Sequence, residues 1–266
     1  MEATFGLNQP IYWQYFIWLG NVVQLEFGPS LTSRGKPVAD FLLPGLAVSA
    51  QLGLMAMVLA LAIGLPTGVV AALRRGSWLD RTAMLVAILG VSVPSIVLGP
   101  VLYWFFGLYL NWLPVATWAD FSDGIGSYLS HAILPAVTLG AGLSAIVARL
   151  TRASLLQVLH EDYVRTAHAK GLAARVVMVR HALRNALIPV ITYLGPLTAA
   201  VLTGSLIVEQ IFAIPGMGRY FVTSISNRDY PMVMAVVVLY ALIIVFFNLI
   251  VDILYVFLDP RIQDTA

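Results

Sequence analysis

Cysteine is absent from the 266 residues, which excludes disulfides, thiolate nucleophiles and cysteine metal sites. Charge is nearly as scarce: Asp, Glu, Lys and Arg make up 11% of the chain against 60% hydrophobic residues, and the mean hydropathy is +0.88. A soluble domain could not carry such long uncharged windows on its surface. The net charge of +2 and the lack of a basic tract interleaved with exposed aromatics exclude a nucleic-acid groove. There is no glycine-rich phosphate loop, no histidine pair at metal-ligand spacing and no nucleophile elbow. No catalytic residue, metal ligand or cofactor is therefore assigned to the chain. His131, His160, His168 and His181 are read as solvated or interface side chains. The opening residues, MEATFGLNQP, lack the basic start and apolar core of a cleavable signal.

What is present is hydrocarbon in long runs. A bilayer core about 30 Å thick needs about 20 apolar helical residues, and five stretches meet that length. They are Leu46–Leu73, Thr82–Tyr109, the shorter Ser127–Ala148, Asn185–Val208 and Met232–Leu258. The runs are continuous, without the period-2 alternation of a barrel strand, so the expected fold is an all-α polytopic membrane protein. Pro66, Pro94, Pro100 and Pro196 fall inside spans, where they either make tolerated kinks or line a gate or path.

Arginine and lysine orient these spans. Arg74, Arg75 and Arg81 follow the first span, while the next connection has Asp120 and Asp123 and no basic residue. The connection after the third span carries Arg149, Arg152, Arg165, Lys170, Arg175, Arg180 and Arg184, seven of the chain's 15 basic residues. The positive-inside rule makes the first and third connections cytoplasmic, with the amino terminus outside and the carboxyl terminus inside. The cluster Tyr12, Trp13, Tyr15, Phe16 and Trp18 then sits at the outer interface. Asp252 enters the last span near its cytoplasmic end, either with a structural partner or beside a transport path. Glu209 closes the fourth span and is expected to anchor the outer loop, where Pro215, Gly216 and Gly218 signal a tight turn.

The basic connection reads as an L-shaped helix pair. Asp162 is placed as the cap of a short helix, YVRTAHAK, and Gly171 as its left-handed end. A second helix runs from near Ala173 through Asn185 toward the membrane. Tyr163, Ala167 and Lys170 share a side of the first helix, and Thr166, Ala167 and Ala169 offer small residues on which another surface could close.

DYVRTAHAKG followed by RHALRNALIP resembles the signature loop of permease subunits in binding-protein-dependent ABC importers, specifically the first permease of dipeptide and oligopeptide systems. GLNQP, WLGN, LRRGSWLDR, VSVPS, VEQIFAIPGMGRYF, RDYP and VDILYVFLDPRI agree, so the likeness runs from about Gly6 to Ile262. The broader importer family opens this loop with Glu-Ala-Ala and a glycine four residues later. Here Arg165, Thr166 and Ala167 hold those places and Gly171 the glycine. This departure matches the peptide branch and removes a glutamate-based docking contact.

The resemblance implies a type I ABC importer transmembrane domain over 42–258, with a cytoplasmic coupling loop at 149–184. An extracytoplasmic amphipathic segment at 1–41 precedes it and a cytoplasmic tail at 259–266 follows. Family members begin with a further span, which has no counterpart in this sequence. It implies ATPase-coupling roles for Asp162, Tyr163, Arg165, Thr166, Ala167, Ala169, Lys170, Gly171 and Leu172. It places Glu209, Pro215, Gly216, Met217 and Gly218 in an outer loop touching the binding protein, and Pro94, Ser95 and Asp252 near the translocation path. The implied partners are a second, homologous permease in a heterodimer, two ABC ATPase subunits that bind ATP and Mg, a solute-binding protein outside, and the lipid bilayer of a prokaryotic inner membrane. Nickel chelates, glutathione or sugars are alternative cargoes of the same architecture. An intramembrane enzyme would need paired aspartates or a Ser/Lys couple in the spans, and a secondary transporter ionisable groups at the midplane and an inverted repeat; neither pattern is evident.

Overall fold

The computed structural model describes residues 9–33 and 35–258, except the side chains of 196, 199, 200, 202–204, 252 and 254–258. Helix α1 (Ile11–Val23) precedes an isolated antiparallel bridge between Pro29 and Pro37. Helix α2 (Ala39–Leu73) is followed by α3 (Trp78–Ser92) and α4 (Ser95–Leu102), which continues as a π-helical stretch over Tyr103–Tyr109. Helix α5 spans Ile125–Val158 and α6 Asp162–Ala169. Helix α7 (Ala174–Val176), a second π-helical stretch (Val177–Leu183) and α8 (Arg184–Ala186) lead through Leu187 into α9 (Ile188–Ile211). Helices α10 (Met217–Ser226) and α11 (Tyr230–Leu258) complete the described chain.

Among the described residues, α2, α5 and residues Tyr230–Val251 of α11 are long and apolar enough to cross a membrane, and the bent pair Trp78–Ser92 with Ser95–Tyr109 makes a fourth candidate. Helix α9, with 24 residues, has the length of a crossing at about 1.5 Å per residue. The architecture is thus all-helical, with two departures from the sequence-based expectation. The Thr82–Tyr109 span is broken, its two halves meeting at 101°. Pro94 has no amide hydrogen to donate and disfavours the helical region at Val93, which lies at φ −90° and ψ 110°. The third span continues as helix to Val158, so Arg149 and Arg152 sit on its extension and the connection itself starts after Leu159.

Helices α2 and α5 form the central pair because glycine lets their backbones meet. A Cβ added at Gly64 would lie 2.6 Å from the Ser144 carbonyl oxygen, and one at Gly68 would lie 2.6 Å from that of Ala148. Gly64 and Gly68 are one turn apart, the small-residue spacing that allows membrane helices to pack closely. Leu52, Ala56, Ala136, Val208, Phe212 and Ile214 are buried together where α9 joins the pair.

A charged lock holds the basic end of this pair. Arg152 donates from Nε to Asp80 Oδ1 at 2.6 Å and from Nη2 to Asp80 Oδ2 at 2.9 Å, and Oδ2 also accepts the Gly76 amide at 2.9 Å. Asp80 lies in the first turn of α3 after the Ser77 cap, so the bidentate pair fastens the α2–α3 turn to the extended part of α5. At the opposite end, buried Asp229 accepts the Thr32 hydroxyl at 2.8 Å and the Leu31 amide at 3.2 Å, with Ser30 also donating. Burial alone would raise this carboxyl, but the hydrogen bonds from Ser30, Thr32 and Leu31 outweigh it and hold the group below the usual carboxylate range. This ties the segment after α1 to the start of α11.

Candidate coupling helix and outer clamp

Helix α6 is seated on its own chain by an apolar stripe. Val164 and Ala167 lie three residues apart, hence on one face, and they are buried at 2% and 6% exposure against Val177 and Val158. Tyr163 reinforces the seat, its hydroxyl accepting from Asn185 Nδ2 at 2.8 Å and facing the His181 carbonyl at 3.5 Å. The small-residue face expected to receive another surface is therefore turned inward at Ala167, since Val164 and Ala167 together form the apolar contact. Asp162, Arg165, Thr166, Ala169, Lys170, Gly171 and Leu172 are exposed around it, with Tyr163 at the edge.

The ends of α6 correct one expectation and match another. Glu161 occupies the N-cap position without a side-chain cap bond, and Asp162 is already the first helical residue. Asp162 thus sits near the positive end of the helix dipole without capping it, 3.6 Å from exposed Arg165. The carboxyl end is a Schellman motif around Gly171, which has φ +77°. The Leu172 amide donates to the Ala167 carbonyl at 3.3 Å and the Gly171 amide to that of His168 at 2.9 Å.

The second limb of the L begins at Ala174, and much of it is π-helical. His181 and Arg180 fall on that stretch. His131, His160 and His168 each turn Nδ1 toward the carbonyl four residues earlier, at 2.8, 2.6 and 3.0 Å. Among the described residues no group of three or more His, Asp or Glu side chains could hold a metal ion.

At the far end of α9 Glu209 is fully buried. Its Oε1 accepts the Ser49 hydroxyl at 2.7 Å, and its Oε2 accepts the Gly218 and Arg219 amides at 2.7 and 3.3 Å. Ser49 Oγ in turn accepts the Met217 amide at 2.8 Å. A helix start has amides with no partner inside the helix, and here α9 and α2 supply acceptors for three of them in α10. Glycine is required on this turn: a Cβ at Gly216 would run into the Glu209 carboxylate, and one at Gly218 would lie 2.6 Å from Leu206 Cα. Glu209, Gly216, Met217 and Gly218 are all buried, leaving Pro215 and Arg219 as the exposed face. The surface contact expected at Met217 therefore cannot be made by Met217 as it lies here.

Pro94 and Ser95 stand at the helix break and border a cleft of about 240 Å³ shared with Thr138 and Gly142 of α5 and Val201 of α9. The side chain of Asp252, and with it the path role expected there, lies outside the described residues. Sequence reasoning did not single out Ser49, Asp80 or the partnership of Tyr163 with Asn185. Asp80 carried a signal, an acid three residues after a serine at a helix start, but its arginine is 72 positions away.

Comparison with known proteins places this geometry. The chain is 46% identical over 263 residues to the dipeptide transport system permease protein DppB of Bacillus subtilis (strain 168), covering 99% of this chain and 83% of the relative. It is 42% identical over 263 residues to the oligopeptide transport system permease protein OppB of Haemophilus influenzae, covering 99% and 84%. It is 42% identical over 263 residues to the glutathione transport system permease protein GsiC of Escherichia coli (strain K12), covering 99% and 83%. A solved structure of the MetNI methionine ABC transporter in inward-facing conformations superposes with a TM-score of 0.67 at 17% identity, covering 82% of this chain and 96% of that one. The fold is accordingly that of a type I ABC importer transmembrane domain. With residues 64–264 matching the family described as "Binding-protein-dependent transport system inner membrane component", the chain belongs to that family, a multi-pass component of the inner membrane.

Proposed function

We propose that this chain is the permease subunit of an ATP-driven importer of di- and oligopeptides. Residues 42–258 form the transmembrane domain, 149–184 the cytoplasmic coupling region, 1–41 an outer segment and 259–266 an inner tail. The working complex holds a second, homologous permease as heterodimer partner, two ABC ATPase subunits that bind ATP and Mg, and an extracytoplasmic solute-binding protein. The chain itself performs no hydrolysis.

The observation that carries the reading is the mounting of α6. A helix of eight residues is far too short to be stable alone. This one is held by Val164, Ala167 and Tyr163 onto the limb that becomes α9. Its outward surface, made by Asp162, Arg165, Thr166, Ala169, Lys170 and Leu172, is then available to an ATPase cleft, with Gly171 setting the angle of the turn and Ala167 acting from behind. On the other side Pro215 and Arg219 present the surface for the binding protein, while Glu209, Gly216, Met217 and Gly218 hold it from within. Pro94, Ser95 and Asp252 belong to the translocation path, the first two because the break places them on a cleft. Glutathione, a small γ-linked tripeptide, is a second cargo reading that the likeness to GsiC favours.

Purification of the native complex in mild detergent tests this reading. Two ATPases and a homologous permease should accompany the chain, and proteoliposomes of the complex should take up dipeptide only with ATP and the loaded binding protein. An isolated chain that supports ion-driven uptake without ATP would overturn it.

A further inference from the structure

A second feature adjoins the cleft at Pro94 and shares Gly90 with it. Helices α2, α3 and α5 enclose an open slot of about 620 Å³, bounded by Leu59 to Val70, Leu79 to Gly90 and Val137 to Ala148. Along α2 this run rises about 16 Å, or half of a hydrocarbon core about 30 Å thick. The slot therefore has the length of one leaflet. It is wide enough for a hydrocarbon chain.

Its lining is equally selective. Three hydroxyls border it, and each is turned back on its own helix: Thr67 donates to the Ile63 carbonyl at 2.6 Å, Thr82 to that of Trp78 at 2.9 Å and Ser144 to that of Ala141 at 2.7 Å. None offers an unpaired polar atom to a ligand, so the interior suits an alkyl chain. The polar demand lies at one end. The turn between α2 and α3 closes the slot there, and the Arg74 amide donates to the Val70 carbonyl at 3.0 Å, stacking Arg74 one turn beyond a lining residue. Arg152 lies four residues past Ala148 on α5, with its guanidinium on Asp80. Arg74 and Arg75 are exposed, and among the described residues neither forms an ion pair. Arg74 and Arg152 thus lie about one turn beyond the lining residues Val70 and Ala148, with Arg75 next to Arg74, at one end of an apolar slot one leaflet long, and the Asp80 carboxylate there is taken up by Arg152.

We infer that this slot is a binding site for an anionic phospholipid, with an acyl chain between α2, α3 and α5 and the headgroup phosphate on Arg74 and Arg75. The site is independent of which solute is transported. Its logic is charge at the mouth and hydrocarbon within, and each half can be removed separately.

Native mass spectrometry of the delipidated intact complex, titrated with phosphatidylglycerol or with phosphatidylcholine, tests the inference. At about fivefold per unpaired arginine, from about 1 kcal/mol for each basic residue at an anionic surface, one phosphatidylglycerol should be retained about 25-fold more tightly than phosphatidylcholine. The double variant Arg74→Gln, Arg75→Gln should bring that ratio close to one while weaker binding of both lipids persists. Ala83→Phe, which fills the slot, should weaken both lipids together. Equal retention of the two lipids by the unaltered complex would overturn the site. So would phosphatidylglycerol binding that survives Ala83→Phe, or a Val86→Cys variant that crosslinks nearly quantitatively to another polypeptide, because a protein segment would then cover the slot. If Ala83→Phe fails to assemble, the exposed arginine pair still decides the outcome through the ratio.

Discussion

Replacing Gly171 by valine should disconnect α6, the proposed coupling helix, without unfolding it. A Cβ built at this position meets no atom within 4 Å, so the substitution causes no steric clash and its cost is confined to the backbone. Gly171 sits at φ +77°, where an L-residue is disfavoured by about 1–2 kcal/mol and a β-branched one falls at the upper end. Leaving that conformation sacrifices the Leu172-to-Ala167 and Gly171-to-His168 bonds, each worth about 0.5–1.5 kcal/mol net. The two costs are similar. The turn should therefore open in a substantial fraction of molecules, with its closed form disfavoured about tenfold for each 1.4 kcal/mol. The Val164, Ala167 and Val177 contact lies on the preceding helix and its partner limb and is not itself altered. In proteoliposomes holding the full complex, Gly171→Val should keep normal subunit content and near-normal basal ATP hydrolysis. Uptake and the stimulation of hydrolysis by loaded binding protein should fall about tenfold. Gly171→Asn, which tolerates the left-handed region, should stay close to the unaltered protein. Wild-type uptake by the valine variant, or an asparagine variant as impaired as the valine one, would refute the reasoning.

Further outcomes follow from the two locks and the charge asymmetry. Arg152→Ala leaves the Asp80 carboxylate, 6% exposed, without its arginine. Complete burial would make that cost about 3–5 kcal/mol, and the partial exposure of Arg152 reduces it to about 2 kcal/mol, readable as a fall of several degrees in the melting temperature of the purified complex; an unchanged melting curve would count against the lock. Glu209→Ala strands the Gly218 and Arg219 amides and the Ser49 hydroxyl, at about 1–3 kcal/mol for each group that stays buried. It should lower both melting temperature and uptake more than Glu209→Gln, which keeps one acceptor oxygen, and equal effects of the two would refute the clamp. Cysteines introduced at Ser122 and Ala174, both exposed, should react with an impermeant thiol reagent from outside and inside respectively. Labelling of both from one side would overturn the orientation.

The sequence made the helical fold legible because hydropathy is a property of windows and needs no knowledge of contacts. Five apolar runs each correspond to helix in the structure, and Pro94 announced a disturbance where the second run bends by 101°. Its size was not legible, because proline fixes only its own φ and biases its neighbour; packing on α5 decides where the second half goes. Arg149 and Arg152 end the uncharged run of the third span in the sequence. They did not mark the end of the helix, which continues to Val158 because water stops a membrane run without stopping helical hydrogen bonding. Gly171 was readable from residue type alone, since a left-handed residue closing a short helix is a local requirement. Ala167 was misread for a reason equally local. Small size permits close approach from any side, and only the neighbouring Val164 hinted that the approach comes from Val177. The Glu209 anchor was expected, whereas Ser49, 160 positions earlier, belongs to a contact that no periodicity encodes.

A push on the outward face of α6 has two ways to reach the membrane. One is lateral, through Val164 and Ala167 onto Val177 and through the Tyr163 hydroxyl to Asn185. This contact is small, so it yields first. The other is along the backbone: Ala169 passes through the Gly171 turn to Ala174, and from there the π-helical stretch, α8 and α9 follow with Leu187 as the only residue between helices up to Ile211. Near the end of that run Glu209 holds the Gly218 and Arg219 amides of α10 and the Ser49 hydroxyl of α2. Displacement of α9 along its axis is therefore delivered to the turn that opens α10, because a buried carboxylate cannot slide away from the donors it accepts without leaving groups unpaired. The Gly171 variants separate the two routes. Valine loosens the turn and leaves the lateral seat intact, so a loss of uptake assigns transmission to the backbone route, and full uptake assigns it to the lateral contact at Val164, Ala167 and Tyr163.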